Sequence, residues 1–497
     1  MILKKKREMK RKVEVVIVRK KILFSLSAVA LLASCGEEAK NATAVPNQDV
    51  SLNQNFKEAS VHDPSIIFAE EQYYVIGSHL AFAKSPDLMN WDQLATSVAT
   101  SELFEDVTVS LAESFDYART DTLWASDITQ LKDGKYYLYY CFCEGSSPQS
   151  TLGVAVSDSI EGPYEDKGIF LTSGTESVTG AAFDATEEPN VIDPHVFYDE
   201  EERLWMVYGS YSGGIFILEM DSATGFPKEE QGYGKKLLGG NHSRIEAPYI
   251  LYNKDTEYYY LFLSFGGLDA SGGYNIRVAR SKNPDGPYED ASGNAMMEAK
   301  GEEGSFFDDK AIEDYGTKLI GNFEITNEQD IPVGGYVSPG HNSAYYDEVE
   351  DKYYIIFHAR FPNKGEHNEV RVHQLFFNSD GWPVIAPMRY AGESLTALET
   401  ADIAGDYRFY KMDNAIDADY EEELALTLTA THLVYGQGGG YWKGSELPDE
   451  SSLVVNFTEY NGYFIRQWDE VNGVETTTFS GMSDQGEALF GIKKIED

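Results

Sequence analysis

The chain has 497 residues, with 40 Lys and Arg against 82 Asp and Glu and a formal net charge of −42. Such a charge argues against a nucleic-acid partner, which needs a basic patch, and against polyanionic sugars such as polygalacturonate. With 42% hydrophobic and 25% charged residues the chain is not disordered in bulk, and its 33 Tyr, 26 Phe and 44 Gly favour strands over helices. At roughly 100–200 residues per domain, this length means two to four domains, or one large repeat domain with a smaller companion.

The N-terminus reads as an export address. Ten basic residues between Lys4 and Lys21 precede the apolar run Ile22 to Ala33, which is too short to span a bilayer comfortably. Leu32-Ala33-Ser34-Cys35 then looks like a bacterial lipobox, with Cys35 as the lipidated mature N-terminus; the plainer reading is an ordinary signal peptide with a chance cysteine. Residues 1–34 are therefore expected to be a signal peptide and 35–55 a small, polar, flexible tether. Glu37 and Glu38 resemble the export signal of surface lipoproteins, which leaves the outer membrane or cell surface and the periplasm as locations. Cys141 and Cys143, one residue apart in a Tyr-rich run, share a strand face. A disulfide is awkward there, so both are expected to be buried thiols.

An internal repeat organises residues 56–393. Five segments share a polar anchor, a short apolar strand, a tight turn and an aromatic strand. They start at His62-Asp63-Pro64-Ser65, Ala125-Ser126-Asp127-Ile128, Ile192-Asp193-Pro194-His195, Glu246-Ala247-Pro248-Tyr249 and Gly340-His341-Asn342-Ser343. Anchors stand 64, 66, 53 and 95 residues apart. Third strands lead into matching turns, Gly162-Pro163-Tyr164-Glu165 and Gly286-Pro287-Tyr288-Glu289. Units of this length repeated five times predict a five-bladed β-propeller. The long last step predicts an insertion near 290–336, an acidic, Gly-rich surface loop.

In a propeller the innermost strand of each blade lines the channel. The anchors Asp63, Asp127, Asp193, Glu246 and His341 are thus expected to converge at one channel mouth. Residues 394–497 alternate differently and predict a separate all-β module, sandwich or barrel. Its Trp442 and Trp468 read as core residues more readily than as sugar platforms. The overall expectation is an all-β chain, a five-bladed propeller followed by a small β-sandwich or barrel.

Taken in order, several pieces resemble glycoside hydrolase family 43, in particular its endo-α-1,5-L-arabinanases with an extra C-terminal β-domain. They are Val61-His62-Asp63-Pro64-Ser65, Trp124-Ala125-Ser126-Asp127-Ile128, Asn190-Val191-Ile192-Asp193-Pro194, Ile245-Glu246-Ala247-Pro248-Tyr249, Gly340-His341-Asn342-Ser343 and Glu369 to Gln374, closed by Gly381-Trp382-Pro383-Val384. The resemblance implies an inverting hydrolase. Such an enzyme needs a base that activates water on one face of the sugar and an acid that protonates the leaving oxygen on the other, about 6.5 to 9.5 Å apart. By motif match Asp63 is the base, Glu246 the acid, and Asp193 the carboxylate that raises and orients the acid. The resemblance further implies that His341 helps hold one mostly water-coordinated Ca2+ in the channel, although calcium prefers oxygen donors. It places Asn190, Ser210, Tyr211 and Ser212 in the sugar cleft. Trp124 and Trp91 are either stacking platforms or packed residues. Ser212, Ser126 and Cys141 to Glu144 depart from the commoner pattern, which bears on subsites rather than on the trio.

The reading that follows is an exported, lipid-anchored, monomeric endo-arabinanase acting on linear arabinan, a neutral polymer compatible with an acidic protein. Its membrane contact is the N-terminal lipid alone. The alternatives are an exo-acting α-L-arabinofuranosidase or β-xylosidase on the same scaffold, and a non-catalytic glycan-binding surface lipoprotein.

Overall fold

The computed structural model describes residues 52–327, 331–444 and 449–495. The signal peptide, Cys35 and most of the tether lie outside the described residues. Five antiparallel sheets follow one another along the chain. The first holds Ser65–Ala69, Gln72–Ile76, Phe82–Ser85 and Asp92–Ala95; the second holds Asp127–Gln130, Tyr136–Cys143, Ser150–Ser157 and Glu165–Ser173. The third holds His195–Tyr198, Leu204–Tyr208, Ile215–Met220 and Lys235–Leu238; the fourth holds Ile245–Asn253, Tyr258–Phe265, Asn275–Ser281 and Thr317–Ile320. The fifth has five strands: Phe323–Thr326, Pro332–Asp347, Lys352–Arg360, Asn368–Phe377 and Pro383–Ile385. These are the five expected blades. Strands Ser65–Ala69, Asp127–Gln130, His195–Tyr198, Ile245–Asn253 and Pro332–Asp347 touch in succession and close a ring around the channel.

The aromatic second strands explain the stacking of blades. Tyr136–Cys143 is buried along its whole length because neighbouring blades cover both faces, so it reads as an unbroken apolar run. Alternate residues feed different interblade cores: Tyr136, Leu138, Tyr140 and Phe142 pack towards the first blade, and Tyr137, Tyr139, Cys141 and Cys143 towards the third. Both cysteines are free and buried, as expected. The hairpin before this strand turns at Gly134, where φ is +83°. The two matching turns share a device, since Tyr164 and Tyr288 each bond the carbonyl four residues back, at Ile160 and Pro284.

Three expectations change. The region 290–336 is more than a surface loop: it supplies the outer strand of the fourth blade and an added strand of the fifth, besides the exposed stretch around Gly301–Asp309. The fifth blade is entered in the middle of a strand, so His341 lies within Pro332–Asp347 and does not open it. The tether ends before residue 55, because Leu52 is buried against Ala391 and Trp468, and Asn53 N–H donates to the Ala391 carbonyl at 2.7 Å. The ring closes nearby, where Glu58 pairs with Arg371 and Arg389 of the last blade.

Residues Gly405–Lys493 form a closed eight-stranded barrel, which resolves the choice between sandwich and barrel. Its interior is filled by Tyr407, Phe409, Trp442, Leu453, Phe464 and Phe479. Trp442 and Trp468 are core residues. Gln467 joins barrel to propeller through the Met388 carbonyl and the Glu393 carboxylate. No helix among the described residues is long and apolar enough to cross a membrane.

Candidate active site

The chain leaves regular strand geometry at each residue that reaches the channel mouth. Asp63 and Asp193 stand two residues ahead of their strands with φ of +60° and +55°. Glu246 precedes Ala247, at φ +55°, in a register break of the fourth blade's first strand. His341 has φ +47° inside a register break of the fifth, between Gly340 and Ser343. An extended strand would alternate these side chains between sheet faces. A left-handed residue breaks that alternation and turns the side chain into the channel, at a conformational cost of about 1–3 kcal/mol that the surrounding sheet must offset.

Asp63, Asp193 and Glu246 are each less than a tenth exposed. His341 lies among them, with Nδ1 3.0 Å from Asp63 Oδ1, and it feels the charge of all three carboxylates. His62 Nδ1 is 2.7 Å from the same Asp63 oxygen, and Ser78 Oγ donates to the other. The Asp63 backbone N–H donates to His358 Nδ1 at 3.2 Å. Burial alone would raise the Asp63 carboxyl, but His341 and His62 outweigh it and hold it well below the usual carboxylate range. Burial would likewise lower His341, but the charges of Asp63 and Asp193 lift it to about 9.

Glu246 is built differently. Ser210 Oγ donates to Oε2 at 2.7 Å and the Tyr274 hydroxyl donates to Oε1 at 2.8 Å. Burial raises its pKa, while His341 and these two donors temper the rise. Asp193 is lifted by burial, and by repulsion from Glu246 and Asp63, to about 8. Burial is the leading cause at both carboxyls, and like-charge repulsion adds to it, from Glu246 and Asp63 at Asp193 and from Asp63 at Glu246. The two carboxyls titrate as a pair, and together they retain a proton that isolated carboxyls would have lost at neutral pH. Asp193 Oδ2 also accepts from the Ala247 N–H at 3.2 Å, fixing the turn that carries Glu246.

Tyr274 reaches Glu246 because residue 340 is glycine; a Cβ there would lie 2.0 Å from Tyr274 Cδ1. Its ring lies near-parallel to His358, centroids 6.1 Å apart, and His358 stacks on His62 at 4.0 Å. A column of three rings therefore runs from the partner of Asp63 to the partner of Glu246. Tyr274 and His358 escaped the sequence reading, since neither lies at an anchor. His62 was visible only as part of its tetrapeptide.

The other nominated residues separate. Asn190 forms a backbone bridge with Ser210, and its amide engages Ser150 and Cys143. Tyr211 donates its hydroxyl to the Gly266 carbonyl at 3.1 Å. Ser212 is buried, with its carbonyl accepting from the His242 N–H at 3.0 Å. Trp124 sits half-buried on the second blade with Nε1 bonded to Thr122, and Trp91 is packed in the core. Asp127 leaves the group: it accepts from Ser65 and from the Val196 N–H, clamping three blades together.

As for a cation, His62, Asp63 and His358 offer ligand atoms within 4.8 Å of one another. Close by in sequence, Asn342, on the inner strand of the fifth blade, has both side-chain amide atoms buried without a protein partner, as is Nε2 of His358. The His62–Asp63–His358 cluster offers two ring nitrogens and one carboxylate, whereas calcium prefers oxygen; His341 beside the three carboxylates is compatible with such an ion only if it is held largely through water.

The model for glycosyl hydrolases family 43 matches residues 54–310, and one for a C-terminal lipocalin-like domain matches 387–491. An extracellular endo-α-(1→5)-L-arabinanase of Bacillus subtilis is 56% identical over 91% of this chain and 97% of its own length. An extracellular endo-α-(1→5)-L-arabinanase of Thermotoga petrophila is 46% identical over 89% and 95%. The crystal structure of a family 43 glycoside hydrolase from Bacillus licheniformis superposes with a TM-score of 0.85 at 55% identity, covering 89% of this chain and all of that one. With a family model matched over residues 54–310 and relatives 56% and 46% identical across most of both chains, the chain belongs to family 43 of the glycosyl hydrolases.

Proposed function

We propose that this protein is an exported endo-α-1,5-L-arabinanase that hydrolyses internal links of linear arabinan with inversion. The observation that carries the chemistry is a pair of carboxyls at one channel mouth with opposite tuning: Asp63 is kept ionised and Glu246 is raised. Asp63 takes the proton of the attacking water, because His341 and His62 keep it ionised. Glu246 delivers its proton to the departing glycosidic oxygen. As that proton leaves, the hydroxyls of Ser210 and Tyr274 stabilise the new carboxylate, and Asp193 keeps the turn at Ala247 in place. Each group in such a role supplies about 10²–10⁴ in rate.

The endo mode rests on the 56% and 46% identity to enzymes named endo-arabinanases, against 28% over 67% of the chain for an extracellular exo-α-(1→5)-L-arabinofuranosidase of Cellvibrio japonicus. Those relatives' designation as extracellular supports export. We further propose lipidation at Cys35, a monomeric state, and one calcium ion held by His341 and channel water; when bound, it would supply positive charge beside Asp63. Incubating the purified protein with debranched arabinan, with and without a chelator, tests this reading. Oligosaccharides are expected early in digestion, with slower turnover after chelation. Arabinose as sole product from the first time point would overturn the endo mode.

A further inference from the structure

Beyond the catalytic groups, the stretch Gly301–Asp309 exposes two adjacent aromatic side chains. Phe306 is 65% and Phe307 43% exposed, with ring centroids 4.1 Å apart. Exposed phenylalanines on a long loop are usually free to fold back, but these are held. Phe307 adopts φ +59°, a left-handed conformation that a bulky residue rarely takes. Its ring meets Tyr211 edge-on at 5.4 Å, and Phe306 packs against His242 at 4.9 Å.

The loop is fastened to the segment that leads into Glu246. Arg244 Nε donates to Asp309 at 2.9 Å, Asn241 donates to the Gly301 carbonyl at 2.8 Å, and the Gly301 N–H donates to Ser243 Oγ at 2.7 Å. On the other side, Tyr211 directly follows Ser210, which bonds the Glu246 carboxyl. The aromatic pair is thus continuous with the acid's side of the cleft.

We propose that Phe306 and Phe307 form a stacking platform for a furanose unit of the same neutral sugar chain, beyond the bond being cut. The proposal rests on the reading of the site as an arabinanase. A furanose offers C–H groups that pack on an aromatic face, and a neutral chain suits a loop that also carries Glu302 and Glu303. The platform adds grip only for substrates long enough to reach it, and so favours polymer over short oligomer.

Steady-state kinetics on α-1,5-linked arabino-oligosaccharides of increasing length and on linear arabinan test it, using wild type, Phe306→Ala and Phe306→Trp. Phe306→Ala should lower kcat/KM on arabinan about three- to tenfold, mostly through KM, with a loss that shrinks as the substrate shortens. Phe306→Trp should restore it. An equal loss at every length, or none at any length, would overturn the platform while leaving the hydrolase reading intact. Failure of the wild type to cleave any of these substrates would instead sink that reading and the platform with it.

Discussion

The propeller mouth and the C-terminal barrel are both built from antiparallel strands, yet they treat buried polarity in opposite ways. The barrel fills its centre with Tyr407, Phe409, Trp442, Phe464 and Phe479, and its pairing runs without a register break. The mouth instead buries three carboxylates and interrupts two inner strands to do so. This eight-stranded barrel is filled by its own side chains, whereas five blades leave a channel where the chain can turn charged groups inward. Regular pairing serves stability, and the breaks in pairing serve the site.

The sharpest way to break this comparison is to remove the charges. Asp63→Asn or Glu246→Gln should each cost about 10²–10⁴ in kcat on arabinan, with unchanged circular dichroism and retained polysaccharide binding. Activity within tenfold of wild type would remove that residue from the mechanism.

A second test uses pH. Asp63 must be ionised, so activity should persist in acid and fall only below the ordinary carboxylate range. Both members of the Asp193–Glu246 pair are raised, and the pair must hold its proton, so activity should persist above the ordinary carboxylate range and fall as rising pH strips that proton. Asp193→Asn removes a negative neighbour, which makes Glu246 easier to ionise. The alkaline limb of the kcat profile should then move to lower pH. A limb that stays in place would mean that the pair does not govern it.

The smallest effect compares two glycines. A Cβ at Gly340 would meet Tyr274 at 2.0 Å, and one at Gly491 in the barrel would meet Phe409 at 2.3 Å. Either alanine overpacks its surroundings and should cost about 1–3 kcal/mol of stability, read from chemical denaturation. Only Gly340→Ala displaces a hydroxyl from Glu246, so only it should lower kcat and reshape the pH profile. A matching kinetic change in Gly491→Ala would show that loss of stability alone explains both.

Much of the site was legible in the chain because its anchors recur. Asp63, Asp193, Glu246 and His341 head repeating segments, and repetition by itself predicts a propeller whose segment starts share one end of a channel. The same logic overreached at Asp127, which is spent on clamping blades. Tyr274, His358 and the Phe306–Phe307 pair carry no such marker. Tyr274 stands just ahead of the fourth blade's third strand, His358 lies within Lys352–Arg360 and the aromatic pair sits in a loop. Only the packed blades bring Tyr274 to Glu246, His358 to Asp63, and the pair against Tyr211 and His242.

The sequence by itself determined the all-β class, the blade count and the buried thiols, because hydrophobic alternation and repeated anchors are local patterns, whereas the three carboxylates were singled out from the anchors by the resemblance to family 43. Tertiary structure alone decided how far each carboxyl is shifted, which hydroxyls hold the acid, that the C-terminal module closes into a barrel, and that the long insertion both completes two blades and presents an aromatic pair. Those properties depend on burial and on distances between residues far apart in the chain. Neither quantity has a signature in residue order until the sheets are packed.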